Sequence, residues 1–169
     1  MPQTKLLALT QLLLRILEVK ICMAKVVFLN ADTKYRLQQK KEIIQLIKNV
    51  FEHEGQGLNN LTYIFCSDPY LLNINTQFLQ HDFYTDIITF DLSDKAGETT
   101  GEIYISIDRV NDNAKELHLP EEEEMLRVII HGAMHLCGYK DKKKSEITIM
   151  REKEDFYLRL FVKDFNSHE

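Results

Sequence analysis

The chain is poor in the residues that punctuate or cross-link structure. Its 169 residues include no tryptophan, three prolines, six glycines and three cysteines. So little proline and glycine excludes a collagen-like or linker-rich chain. Cys22, Cys66 and Cys137 are odd in number and far apart. That argues against a disulfide framework and for reduced thiols in a cytosolic protein. No internal repeat is present, and the longest single-residue tract is Glu121 to Glu124. Long uninterrupted apolar runs are also missing. Residues 1–22, "MPQTKLLALTQLLLRILEVKIC", are leucine-rich but broken by Gln11, Arg15 and Glu18. They are too polar for a signal core and too short to span a bilayer. A net charge of −5 argues against coating the whole surface with polyanion, though not against a local basic patch.

What is present is globular: 44% hydrophobic and 28% charged residues. A chain of this length buries roughly 70% of its unfolded surface as one domain. We read residues 1–22 as an N-terminal extension, with a helix docking on the domain as the alternative, and residues 23–165 as one domain. Ala24 to Leu29 is a short apolar run expected to be a strand. From Lys34 to Glu54, apolar residues at three- and four-residue steps predict an amphipathic helix ended by Gly55 and Gly57. "LTYIF" reads as a second strand. Ser67 or Asp68 then caps a helix with Pro69 in its first turn. "TDIITF" and "GEIYISI" read as strands joined through "DLSDKAGETT", followed by a short helix at Asp108 to Leu117. Pro120 and four glutamates suit the positive end of a helix that reaches the histidines, where Gly138 stops it. A last helix covers Lys142 to Phe161. The expectation is an α+β fold: a small mixed four-stranded sheet packed with about five helices.

Chemistry concentrates in "HGAMHLCGYKD", His131 to Asp141. His131 and His135 stand one helical turn apart and share a face. Gly138 lets the chain fold back so that Asp141 reaches the same point. Two imidazoles and a carboxylate make three metal ligands and leave a fourth position for water, with Zn2+ the first choice and nickel, manganese or iron as alternatives. Metzincin proteases share this ligand spacing but carry a glutamate base directly after the first histidine. Here that residue is Gly132, which disfavours a metallopeptidase. Carboxylates that could assist a metal-bound water are Glu102, Asp86 and Asp82. Lys140, Lys142, Lys143 and Lys144 surround Asp141 and form a local cationic cluster that suits contact with backbone phosphates. Cys137 is expected to pack, because two residues of helix turn its thiol away from His135. His53, His81, His118 and His168 read as surface residues.

The segment "VIIHGAMHLCGYKD" closely resembles the signature of the YbeY family. The similarity continues through "TDIITF", "GEIYIS", "INTQF", and Met150 with Glu154 on the final helix. It is clear from about Leu72 to Glu154, extends in outline from Met23, and omits residues 1–22. The resemblance implies a zincin-like metal-site helix and a single-strand-specific, metal-dependent endoribonuclease. Its place would be ribosomal RNA maturation at the small-subunit 3′ end and ribosome quality control in the cytoplasm. The implied partners are ribosomal RNA and the small ribosomal subunit, with no membrane. Two positions depart from the family pattern. Asp141 stands where its third histidine falls, and Leu79 where it carries an arginine. Those departures support an alternative, a ribosome-assembly binding factor with a structural metal. Asn75 matches the family asparagine and is expected to bind backbone, and Tyr139 to pack over the turn that positions Asp141.

Overall fold

A computed structural model describes residues 24–165, so the extension at 1–22, Cys22 and His168 lie outside the described residues. In chain order the elements are β1 (Lys25–Asn30), α1 (Lys40–His53), β2 (Gly57–Cys66), α2 (Asp68–Ile74) continuing as a π-turn (Asn75–Leu79), β3 (Ile87–Asp91), β4 (Glu98–Ser106), α3 (Ile107–Leu117), α4 (Glu121–Leu136) and α5 (Lys144–Phe165). The four strands form one sheet in the order β1-β2-β4-β3. The β1–β2 and β2–β4 pairs are parallel and the β3–β4 pair antiparallel. This is the mixed α+β arrangement that the alternating patterns predict.

Strand alternation decides which face meets the metal-site helix. Along β4, Ile103 and Ile105 are fully buried, and Gly101 and Ile103 face α4. The Tyr63 hydroxyl of β2 donates to the Ile129 carbonyl at 3.0 Å, fixing α4 against the sheet centre. The opposite face carries a smaller cluster of Cys66, Leu71, Ile74 and Ile88, with Phe90 and Tyr104 packed beside it. Ser67 caps α2, accepting from the Tyr70 N–H, and Ser106 caps α3, accepting from the Arg109 N–H. Asp68 joins the two caps by accepting from the Ser106 hydroxyl and from Arg109 Nε.

Gly132 sits where α4 comes closest to the sheet. A Cβ there would lie 2.8 Å from Ile87 Cδ1 and 2.9 Å from Ile103 Cγ2. The position that holds a catalytic glutamate in metzincins therefore points into a filled core, and a glutamate has no room there.

Some expected boundaries move. The first helix begins at Lys40 rather than Lys34, because Gln39 adopts a left-handed conformation with φ 46°. The segment before it is a loop held by the Asn30 side chain, which accepts from the Tyr35 N–H and donates to its carbonyl. Leu37 packs on the core from this loop, and so mimics helical spacing without being helical. Gly55, with φ 68°, follows the helix as expected, but Gly57 opens β2. A Cβ on Gly57 would meet the Gly97 carbonyl oxygen at 2.1 Å, so glycine is required there by strand pairing. Pro120 occupies the cap position, one residue before the first helical turn.

Gly132→Ala is expected to destabilise the protein by about 1–2 kcal/mol. With two contacts under 3.0 Å, the overpacking cost falls in the upper part of its roughly 1–3 kcal/mol range, about 2–3 kcal/mol, against a helix-propensity gain near 1 kcal/mol. Urea unfolding checks this, and an unchanged or raised midpoint would show that α4 does not lie this close to the sheet.

Candidate metal centre

The last turn of α4 ends in a hydrogen-bonded reversal. The Gly138 N–H donates to the His135 carbonyl at 2.9 Å and the Tyr139 N–H to the Met134 carbonyl at 3.1 Å. Gly138 supplies the positive φ, 92°, that this double closure needs. The chain is thereby turned back, and Asp141 arrives beside the two rings. His131 Nε2 and His135 Nε2 lie 2.9 Å apart, and Asp141 Oδ2 is 3.5 Å from each. Ligands at ordinary zinc distances on a tetrahedron stand about 3.3 Å apart. The three side chains can therefore hold one metal ion.

The hydrogen-bond partners of the other ring nitrogens fix where the protons sit. His135 Nδ1 is 3.0 Å from the Tyr139 carbonyl oxygen, which can only accept, so Nδ1 carries the proton. In the neutral ring, Nε2 is then bare. Burial, then the neighbouring His131, lowers the His135 pKa below its ordinary value and favours that neutral form. His131 Nδ1 is 2.7 Å from Glu154 Oε1. Glu154 is fully buried; burial raises its pKa, but the hydrogen bond from His131 and the charges of His131 and Arg151 outweigh it, and the net shift is downward. An ionised Glu154 accepts from Nδ1 and turns the His131 lone pair toward His135. Arg151 donates to Glu154 Oε2 at 2.7 Å, which keeps the carboxylate paired on its far side. Metal-bound histidines are held this way by a carboxylate or carbonyl behind the ring.

Glu54, at the end of α1, ties the turn to the rest of the molecule. It accepts from the Tyr139 hydroxyl at 2.6 Å, the Tyr157 hydroxyl at 2.5 Å and Lys153 Nζ at 2.8 Å. Burial raises its pKa, but these bonds win and hold it below the ordinary value. Tyr139 thus packs beside the reversal as expected and also anchors it.

The structure distributes the remaining candidates unevenly. Glu102 follows Gly101, which faces α4, so it points from the other face of the sheet, where it accepts from the Tyr104 hydroxyl at 2.9 Å. It does not reach the histidines. Asp86 lines a cleft of about 250 Å³ with His131, Glu154 and Glu124, and accepts from Asn113. That cleft includes neither His135 nor Asp141, so Asp86 stands apart from the three-ligand cluster. Asp82 is exposed on the loop before β3. Among the four lysines, Lys142 lines the cleft that holds His135 and Asp141, while Lys140, Lys143 and Lys144 do not line it. The Lys142 and Lys143 N–H groups both donate to Glu146, a carboxylate that offsets the unfavourable placement of cations at this helix start. Cys137 packs against the core, and burial pushes its thiol up to about 12. Asn75 is buried and donates to the Phe83 carbonyl, the backbone role expected of it. His53 and His118 are exposed. His81 is exposed as well, yet it lines the same cleft as His135 and Asp141.

Two supports escaped the motif. Glu154 lies 23 positions from His131, and Glu54 is 85 from Tyr139. The available signal was chemical: a ligating histidine needs an acceptor behind it.

Glu154→Gln should weaken metal affinity by roughly 10–100-fold, the usual loss when such a partner is removed. Titration with a competing chelator measures it, and unchanged affinity would remove Glu154 from the centre. Glu54→Gln should cost about 1–3 kcal/mol at pH 7. Because the folded pKa of Glu54 is depressed below 4.5, its contribution is complete above that pH and is lost as pH falls through the folded value. The gap between variant and wild type should therefore close on acidification below pH 4.5, and a gap independent of pH would refute the assignment.

Comparison with known proteins supplies the family. Residues 28–162 match the family model described as Endoribonuclease YbeY. A relative from Cytophaga hutchinsonii, named Endoribonuclease YbeY, is 50% identical over 133 residues, covering 79% of this chain and 93% of its own length. One from Porphyromonas gingivalis with the same name is 42% identical over 145 residues, covering 86% of this chain and 95% of its own. A solution structure of a Thermotoga maritima protein aligns with TM-score 0.56 at 26% identity, over 85% of this chain and 93% of that one. With the model match spanning most of the chain and relatives well above 30% identity, this protein belongs to the YbeY endoribonuclease family.

Proposed function

We propose that the protein is a metal-dependent, single-strand-specific endoribonuclease of ribosomal RNA maturation. It acts in the cytoplasm on small-subunit precursors, and residues 23–165 form its catalytic unit. The observation that carries the reading is the convergence of two imidazole Nε2 atoms and a carboxylate oxygen within 3.5 Å of one another. Relatives named as endoribonucleases support the activity. Zinc is the metal of choice, because two nitrogens and one oxygen at near-tetrahedral spacing suit it. Among the described residues no helix is long and apolar enough to cross a membrane.

When bound, a divalent ion supplies Lewis acidity and positive charge for hydrolysis of a phosphodiester. The residues of the chain prepare for it. Glu154 and the Tyr139 carbonyl hold the protons of His131 and His135 on Nδ1, so both lone pairs face the site without reorganisation. Asp141 adds a negative charge where the family pattern has a neutral ring, and Lys142 in the same cleft partly offsets it. Leu79 lines that cleft in place of an arginine, so the phosphate depends more heavily on the metal and on Lys142.

His131→Ala is expected to abolish bound metal and to lower RNA cleavage by at least about 100-fold, the scale of a lost metal-assisted step. Elemental analysis should find roughly one ion per wild-type chain, matching the one three-ligand set among the described residues. Cleavage by the alanine variant at the wild-type rate would mean that another site does the work.

A further inference from the structure

The cleft that contains His135 and Asp141 has a second wall that the metal chemistry does not use. It measures about 580 Å³ and is faced on that side by Leu79, His81 and Phe83. The His81 and Phe83 rings stack, with centroids 5.0 Å apart and planes 20–30° from parallel, at 24°. Phe83 is 58% and Leu79 43% exposed, so this part of the cleft carries an uncovered apolar surface. The loop that carries the pair is not loosely held. The buried Asn75 side chain donates to the Phe83 carbonyl at 2.8 Å. The His81 N–H donates to the Asn75 carbonyl at 3.2 Å. Gln80, with φ 58°, makes the turn out of the π-turn that this pinning requires.

We propose that the His81–Phe83 stack is the platform on which an unpaired RNA base lies while the adjoining phosphate reaches the metal centre. The two walls divide the labour by chemistry. The wall at 79–83 offers flat rings and a leucine, which suit a base and give a phosphate little. The same cleft is also lined by His135, Asp141 and Lys142, which suit a metal and a phosphate. A base in a duplex already has both faces stacked, so this platform accepts only a base free of that stacking. Aromatic stacking of this kind tolerates any base and gives preference for unpaired strands rather than for sequence. The proposal rests on the nuclease reading for the polymer and for the phosphate at the metal centre, while the base stacking stands on the aromatic pair alone.

The test is stopped-flow fluorescence of a short single-stranded RNA carrying 2-aminopurine, mixed with the metal-loaded full chain. Wild type and His81→Phe, which keeps the stack, should quench the probe. Phe83→Ala should lose the quench and bind roughly 5- to 100-fold more weakly, as expected for one lost stacked base. An oligonucleotide with abasic sites should bind wild type and Phe83→Ala alike. The proposal is overturned if Phe83→Ala binds within twofold and quenches normally. It also fails if the abasic strand is penalised as much as the intact one, since the wall would then read something other than bases. Scoring cleavage on the same samples separates this idea from the nuclease reading. Quenching without cleavage sinks the activity and keeps the platform; cleavage with unimpaired Phe83→Ala sinks the platform alone.

Discussion

His131 and His135 bring their Nε2 atoms within 2.9 Å of each other, a contact that needs a cation or a shared proton between the two rings. Their facing lone pairs repel, and the Asp141 oxygen 3.5 Å from each adds more negative charge. The arrangement exists because each ring is held from behind, one by a buried carboxylate and the other by a backbone carbonyl. Those partners orient the two rings, and together with Asp141 they make a set of three side chains that could hold a cation. Metal affinity in this molecule is thus a property of Glu154 and of the α4 reversal as much as of the three ligands.

Holding the rings there imposes conditions on the rest of the fold. Helix α4 must lie tight on the sheet, which Gly132 permits by presenting no Cβ to Ile87 and Ile103. The same closeness shuts out the glutamate that would make a peptidase of this ligand set. Helix α5 must cross near enough for Glu154 to reach His131, and Arg151 pairs the oxygen that the ring does not use. Glu54 binds both tyrosines and Lys153, locking α1, α5 and the Tyr139 turn together. A buried carboxylate with several donors costs less to desolvate than an unpaired one, so these polar contacts persist inside the protein.

Much of this was legible in the linear order of residues. Periodicities and caps located five helices and four strands, and Ser67 caps α2 as its neighbours suggest. Boundaries went astray where a tertiary contact imitates a local pattern, as Leu37 does by packing on the core from a loop. Glu102 was misplaced because the sheet face carrying a residue depends on which side the helix layer packs, which alternation alone leaves open. The lysines around Asp141 looked like an electrostatic cost awaiting RNA, but Glu146 supplies the offset within the chain. His81 appeared solitary because its relation to His135 is made across the fold.

The order of residues by itself determined the three ligands, since a helical turn and a glycine reversal bring His131, His135 and Asp141 together through short-range geometry. It also determined the α+β class, because hydrophobic period is a local property. Only the tertiary structure decided which carboxylate orients His131, which face Glu102 occupies, and which aromatic pair shares a cleft with His135 and Asp141. Those relations join residues tens of positions apart, and packing of one layer on another sets them, not the spacing along the chain.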